Sequence, residues 1–199
     1  MSTLDLARRL LALSQTGMHF ASSEFDRERY DEIGRIAAQL LEQESGTRAD
    51  EVLAAWRVES GYATPKIDVR GAVFDGDRVL LVRERSDGRW TLPGGWADVN
   101  ETPRQAVEKE IAEESGYRAR ATRVAAILDR RSRAFFHAWK VFFLCEITGG
   151  AAGTSNETDA VDFWPVAHLP PLSLGRSTPA QIERMYAHHL DPRLPTDFD

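Results

Sequence analysis

The apolar residues of this chain change their spacing once, close to residue 60, and no single regular element can satisfy both patterns. Up to that point the spacing is helical. Leu4, Leu6, Leu10, Leu11 and Leu13 form one broad stripe. Tyr30, Ile33, Ile36, Ala37, Leu40 and Leu41 form a second within about Phe25 to Gln43, and Gly46 is a stop signal. Val52, Leu53 and Trp56 share one side of a third segment, Ala49 to Val58. Gly61-Tyr62-Ala63-Thr64-Pro65 then breaks the periodicity. From Lys66 the chain reads as strands: Ile67 to Phe74, the turn Asp75-Gly76-Asp77, and Arg78 to Arg83. Further strands are expected at about 118–129, 137–147 and 160–164, with a polar loop opening at Gly149-Gly150. Helices are expected at 103–115 and from Ala180 to Leu190. The expectation is a helical domain at 1–60, with a lid or dimerisation role, followed by an α/β sandwich at 66–199.

The helix at 103–115 carries the most chemical information. Its ends are written locally: Thr102 as N-cap, Pro103 in the first helical position, Gln105 closing a capping box and Gly116 as the stop. It bears Glu108, Glu110, Glu113 and Glu114, with Glu101 just ahead of it. Arg104 and Lys109 stand four residues before Glu108 and Glu113, the arrangement of an ordinary solvated face. Glu110 and Glu114 have no such relief. They are four apart, share a face and repel, and acid gathers toward the helix C-terminus against the macrodipole. A helix that breaks two local rules at one place is a candidate site. Carboxylates without histidine or cysteine suit a hard ion, Mg²⁺ or Mn²⁺.

The run Gly95, five residues, Glu101, seven residues, then Lys109-Glu110-Ile111-Ala112-Glu113-Glu114-Ser115-Gly116-Tyr117 resembles the Nudix box, matching it at Gly95, Glu101, Glu110, Glu113, Glu114 and Gly116. The whole chain resembles the bacterial Nudix subgroup with a helical N-terminal extension, whose members include ADP-ribose and CDP-choline pyrophosphatases. The resemblance implies an α/β/α sandwich with a mixed sheet. It also implies Mg²⁺-dependent (or Mn²⁺-dependent) cleavage of the diphosphate bond in a small nucleotide derivative. Glu110 and Glu114 would be the main metal ligands, Glu113 a further ligand or organiser, the Gly95 carbonyl a contributor, and Glu101 a positioning group. Lys109 replaces the usual arginine and loses its forked geometry. Asn100 stands where glycine is common and tolerates a left-handed backbone. A distal acid is expected beyond the box, Glu157 or its rival Asp159.

Substrate contacts are expected from Arg70 and Arg83, and from Arg131 and Phe136 within a basic and aromatic cluster at 130–137. A net charge of −6 gives a long nucleic-acid partner no help, although an RNA-directed Nudix activity and a nucleotide-binding regulator with a degenerate box are the competing readings. No apolar run is long enough to span a bilayer. The single cysteine, Cys145, lies in the apolar run 141–145 and reads as core. A cytoplasmic homodimer acting on a small nucleotide is the resulting expectation.

Overall fold

The computed structural model describes residues 2–129 and 137–199. The chain divides into two compact units, one of residues up to Lys66 together with His137 and Ala138, and one of the other described residues from Ile67 on.

The first unit is built from α1 (Thr3–Phe20), α2 (Glu24–Ser45) and α3 (Ala49–Val58). Each of the first two begins at a serine whose side chain accepts from the third helical N–H, Ser2 from Asp5 and Ser23 from Asp26. Gly46 ends α2 in the left-handed conformation that its lack of a side chain permits. Ala7, Leu11, Ala37, Ala38, Leu41, Val52 and Trp56 form the core of this unit. The apolar stripes are broader than that core. Leu6, Leu13 and Ile36 stay about half exposed, at 49%, 49% and 47%, so part of each expected buried face meets solvent.

In the second unit a mixed sheet is sandwiched between two helices. Its strands are β1 (Lys66–Asp75), β2 (Arg78–Glu84), β3 (Trp90–Thr91), β4 (Tyr117–Asp129), β5 (Ala138–Gly150), β6 (Thr158–Pro165) and β7 (Asp197–Phe198). They run in the order β3-β2-β1-β5-β4-β7, with β6 on β2. The β4–β7 pair is parallel, while β1–β2, β2–β6 and β4–β5 are antiparallel. Strand alternation sends neighbouring residues to opposite faces. Val73 and Leu80 therefore pack under α4 (Pro103–Ser115), with Val107 and Ile111. Ala72 and Leu81 pack under α5 (Pro179–Leu190), with Ile182 and Met185. Fully burying such a side chain contributes roughly 1.5–3 kcal/mol, so Val107 and Ile111 anchor one side of α4 and leave the glutamates on the rest.

Two departures from the sequence expectation have local causes. Gly149 and Gly150 are not the start of a loop but the end of β5, paired with Arg118 and Tyr117. A Cβ on Gly150 would meet the Gly116 carbonyl at 2.4 Å, so the ladder continues there because both residues lack side chains. The two-residue strands β3 and β7 carry too little pattern to be read locally. Cys145 is buried as expected, and burial pushes its thiol up to about 12, which keeps it protonated and inert.

Candidate functional site

Helix α4 has the caps its sequence dictates: Thr102 and Gln105 close the box reciprocally, and Gly116 is left-handed. The turn before it includes Asn100 at φ 67°, as a short polar side chain permits. What the helix alone does not determine is which glutamates are buried. Glu114 is 5% exposed, Glu110 is half-buried and Glu113 lies in solvent.

A glycine makes the burial of Glu114 tolerable. Gly94 adopts φ 143°, and a Cβ there would stand 2.0 Å from the Val69 carbonyl. Only a residue without a side chain brings the backbone this close to β1. The Gly94 N–H then donates to Glu114 Oε2 at 2.8 Å. Gly95 is as close to the second acid, because a Cβ on it would lie 3.0 Å from Glu110 Oε1. Its carbonyl accepts one bond, from the Val69 N–H at 2.8 Å, and keeps a second lone pair.

The electrostatics follow from this burial. Glu114 is pushed up to about 8 by loss of solvent, opposed by the Gly94 N–H and Arg70, with the charges of Glu110 and Glu84 adding to the push. Glu110 is raised to about 7, again by burial first, opposed by Arg70 and Lys109 and reinforced by Glu113 and Glu157. Two acids held this far above the ordinary range, with a carbonyl beside them, make a site that a hard divalent cation fits. Mg²⁺ binds through one or two carboxylates, keeps several waters and takes up phosphate oxygens. Among the described residues, no three His, Cys, Asp or Glu side chains converge into a closed cage.

The other expected residues fall into three groups. Glu101 and Lys109 belong together: the Lys109 ammonium donates to Asp98 at 2.7 Å and to Glu101 at 3.1 Å. These bonds, Asp98 first, hold the lysine above its ordinary range. It therefore braces the loop before α4 and does not reach toward Glu113, as the i,i+4 spacing suggested. Glu108 likewise turns away from Arg104 to accept the Ala121 N–H at 2.8 Å.

Arg70 and Arg83 are the second group, and the burial of Arg70 corrects its expected place at the substrate. Arg70 is buried, at 4% exposure, donating to Asp68 at 2.7 and 3.3 Å and to the Leu92 carbonyl at 3.2 Å. Burial pushes its guanidinium down, but Asp68, Glu114 and Glu84 outweigh that and hold it charged. It is a fixed countercharge behind the carboxylates, with no surface left for a substrate. Arg83 is bound to Asp159 at 2.6 Å. Asp159 is the extra residue of a bulge in β6, between Thr158 opposite Glu84 and Ala160 opposite Arg83. That bulge aims Asp159 at Arg83, which holds its carboxyl below the usual range. Glu157 stays exposed, near enough to Glu110 and Glu84 to raise both. Arg131 and Phe136, the third group, lie outside the described residues.

Glu84 was missed by the sequence reading. It is 5% exposed, raised by burial, and held by Arg176 at 3.0 Å. An acid at the end of an apolar strand looks like an ordinary solvated terminus. The only signal was the arginine at 176, and nothing local joins residues so far apart.

Residues 64–185 match the family model described as the NUDIX domain. Residues 1–56 match a model described as a UDP-X-like N-terminal oligomerisation domain. The candidate ADP-ribose pyrophosphatase YjhB of Bacillus subtilis is 39% identical over 98% of this chain and 96% of its own. A solved ADP-ribose pyrophosphatase from Streptococcus suis is 42% identical, covering 68% of this chain and all of that one, with a TM-score of 0.64. A solved UDP-X diphosphatase is 31% identical with both chains fully covered and a TM-score of 0.65.

Proposed function

The chain belongs to the Nudix hydrolase family, and we propose that within it this protein is a Mg²⁺-dependent hydrolase of nucleoside diphosphate derivatives, of the ADP-ribose or UDP-X kind. The observation that carries the reading is the pair Glu110 and Glu114, packed against Gly94 and Gly95, the first half-buried and the second buried, with pKa values raised to about 7 and about 8. Glu110, Glu114 and the Gly95 carbonyl would hold the cation. When bound, it supplies charge neutralisation at the diphosphate and a more acidic water.

The chain's own residues do the rest. Gly94 holds one oxygen of Glu114 in place, so the carboxylate is oriented before substrate arrives. Arg70 keeps the paired acids ionisable without competing for the diphosphate. Glu157, free of the arginine that engages Asp159, takes a proton from the attacking water. The water oxygen bonds to one phosphorus, the bond from that phosphorus to the bridging oxygen breaks, and the bridging oxygen leaves with the other phosphate. The products are a nucleoside monophosphate and a phosphorylated partner.

A substrate panel tests this. ADP-ribose, UDP-sugars, CDP-choline, dinucleotides and nucleoside triphosphates are incubated with Mg²⁺ and the products separated. Monophosphate release from diphosphate-linked substrates, absent in EDTA, is expected. Turnover confined to triphosphates, or undiminished in EDTA, would overturn the assignment.

We also propose that the helical unit forms a homodimer. It exposes Leu6, Leu13, Phe20, Phe25 and Ile36, apolar surface of the kind that subunit contacts cover. Light scattering of the intact chain should return twice the monomer mass of 22.3 kDa, and a monomer at micromolar concentration would refute it.

A further inference from the structure

The loop that bears Glu157 is joined to the helix that bears Glu110 and Glu114 through a buried hydroxyl. A helix leaves its last four carbonyls without intrahelical donors. In α4 the Gly116 N–H takes the Ala112 carbonyl, and the Gly153 N–H takes that of Ser115 at 2.9 Å. The Glu114 carbonyl is taken by Thr158, whose Oγ1 donates at 2.6 Å. Two of these three donors come from residues 151–158, so the loop after β5 and the first residue of β6 complete the C-terminal capping of the glutamate helix.

Thr158 is fully buried and starts β6 opposite Glu84. Its single hydroxyl proton is spent on Glu114, so the contact at 3.1 Å between its Oγ1 and Ser155 Oγ has Ser155 as the donor. Ser155 Oγ in turn accepts from the N–H groups of Glu157 and Thr158, each at 3.1 Å. The Glu157 carbonyl accepts from the Arg85 N–H at 2.8 Å. The main chain of Glu157 is thus held on one side by Arg85, the residue after β2, and on the other by a hydroxyl relay ending on Glu114.

Resting on the reading of Glu157 as the proton acceptor, we infer that Thr158 is a positioning residue of the reaction, setting the separation of Glu157 from the Glu110–Glu114 pair through the carbonyl of Glu114. A misplacement of about 1 Å at a reacting group costs on the order of 100-fold in rate, and loss of the Thr158 hydroxyl would permit one while leaving every carboxylate in the chain.

The test is a double-mutant cycle on the full chain, measuring kcat and KM at saturating Mg²⁺ for Thr158→Val, Thr158→Ser, Glu157→Gln and the Val/Gln double variant. Thr158→Val keeps the shape and removes the hydroxyl. It should lower kcat by about 10- to 100-fold with KM changed less than about 3-fold, and Thr158→Ser should recover most of that loss. With Glu157→Gln already present, Thr158→Val should cost less than about 3-fold more, because both changes act on one event. An undiminished kcat in Thr158→Val, or the same loss in the Glu157→Gln background, overturns the inference while leaving Glu157 in its role. A wild-type kcat in Glu157→Gln overturns the role of Glu157, and the inference with it. Should Thr158→Val not fold, Ser155→Ala breaks the same relay at a partly exposed position and carries the same expectations.

Discussion

Glu114→Gln is expected to lower kcat by about 1,000-fold or more, which at 1.36 kcal/mol per tenfold is roughly 4 kcal/mol of lost transition-state stabilisation. The substitution removes charge and almost no volume. A glutamine at this position keeps an oxygen that can accept the Gly94 N–H, now at 2.8 Å from Glu114 Oε2. The backbone turn around Gly94 and Gly95 should therefore survive. The stability change runs opposite to the activity change. In the metal-free protein at about pH 8.5, above the raised values of both acids, the Glu114 charge is desolvated and repelled by Glu110 and Glu84, so removing it should leave the melting temperature in EDTA at that pH unchanged or raise it. The gain in melting temperature on adding Mg²⁺ should shrink. Kinetics and thermal melts with and without Mg²⁺ measure all three quantities. Near-normal turnover would remove Glu114 from the site. A large drop in melting temperature would make it a structural group instead.

The second large effect is a pH dependence whose direction is unusual for carboxylates. Glu110 and Glu114 stand at about 7 and about 8 against an ordinary 4.5, burial being the main cause for each. The folded state therefore holds these protons more tightly than the unfolded chain. Their stabilising contribution is complete below the unfolded value and is lost as pH rises through the folded values. Metal-free protein should lose stability from about pH 5 to about pH 8.5, on the order of 5 kcal/mol for the pair, most of it from Glu114 because solvent screens half-buried Glu110. Divalent cation binds the deprotonated pair and competes with the protons, so stabilisation by Mg²⁺ should be larger at about pH 8.5 than at about pH 6. Urea midpoints in EDTA and in Mg²⁺ across this range, with Glu110→Gln/Glu114→Gln protein subtracting every other titrating group, give the comparison. If wild type and double variant follow one curve in EDTA, the two acids are not held in the strained state described here.

The features read correctly from the chain are those whose causes lie within a few residues. The change of period near residue 60, the capping of α4 by Thr102, Gln105 and Gly116, and the left-handed turn at Asn100 are all local. So is the shared face of Glu110 and Glu114, which the helix repeat requires. The acidic contradiction on that face was visible as a contradiction before any packing was known.

What escaped depended on partners far along the chain. Arg70 was expected at the substrate and is buried on Asp68, because the site needs a countercharge behind its carboxylates. A bulge in β6 pairs Arg83 with Asp159, a partner 76 positions away that nothing near Arg83 announces. Glu84, Arg176 and Thr158 looked ordinary in sequence. Thr158 meets Glu114 from 44 positions away, and Glu84 meets Arg176 across 92. The sequence alone determined which groups a helix and its caps present, since backbone periodicity and local hydrogen bonds settle that. The tertiary structure decided which of those groups lose their water and what charge faces them, because desolvation and Coulomb interaction depend on distance in space and not along the chain.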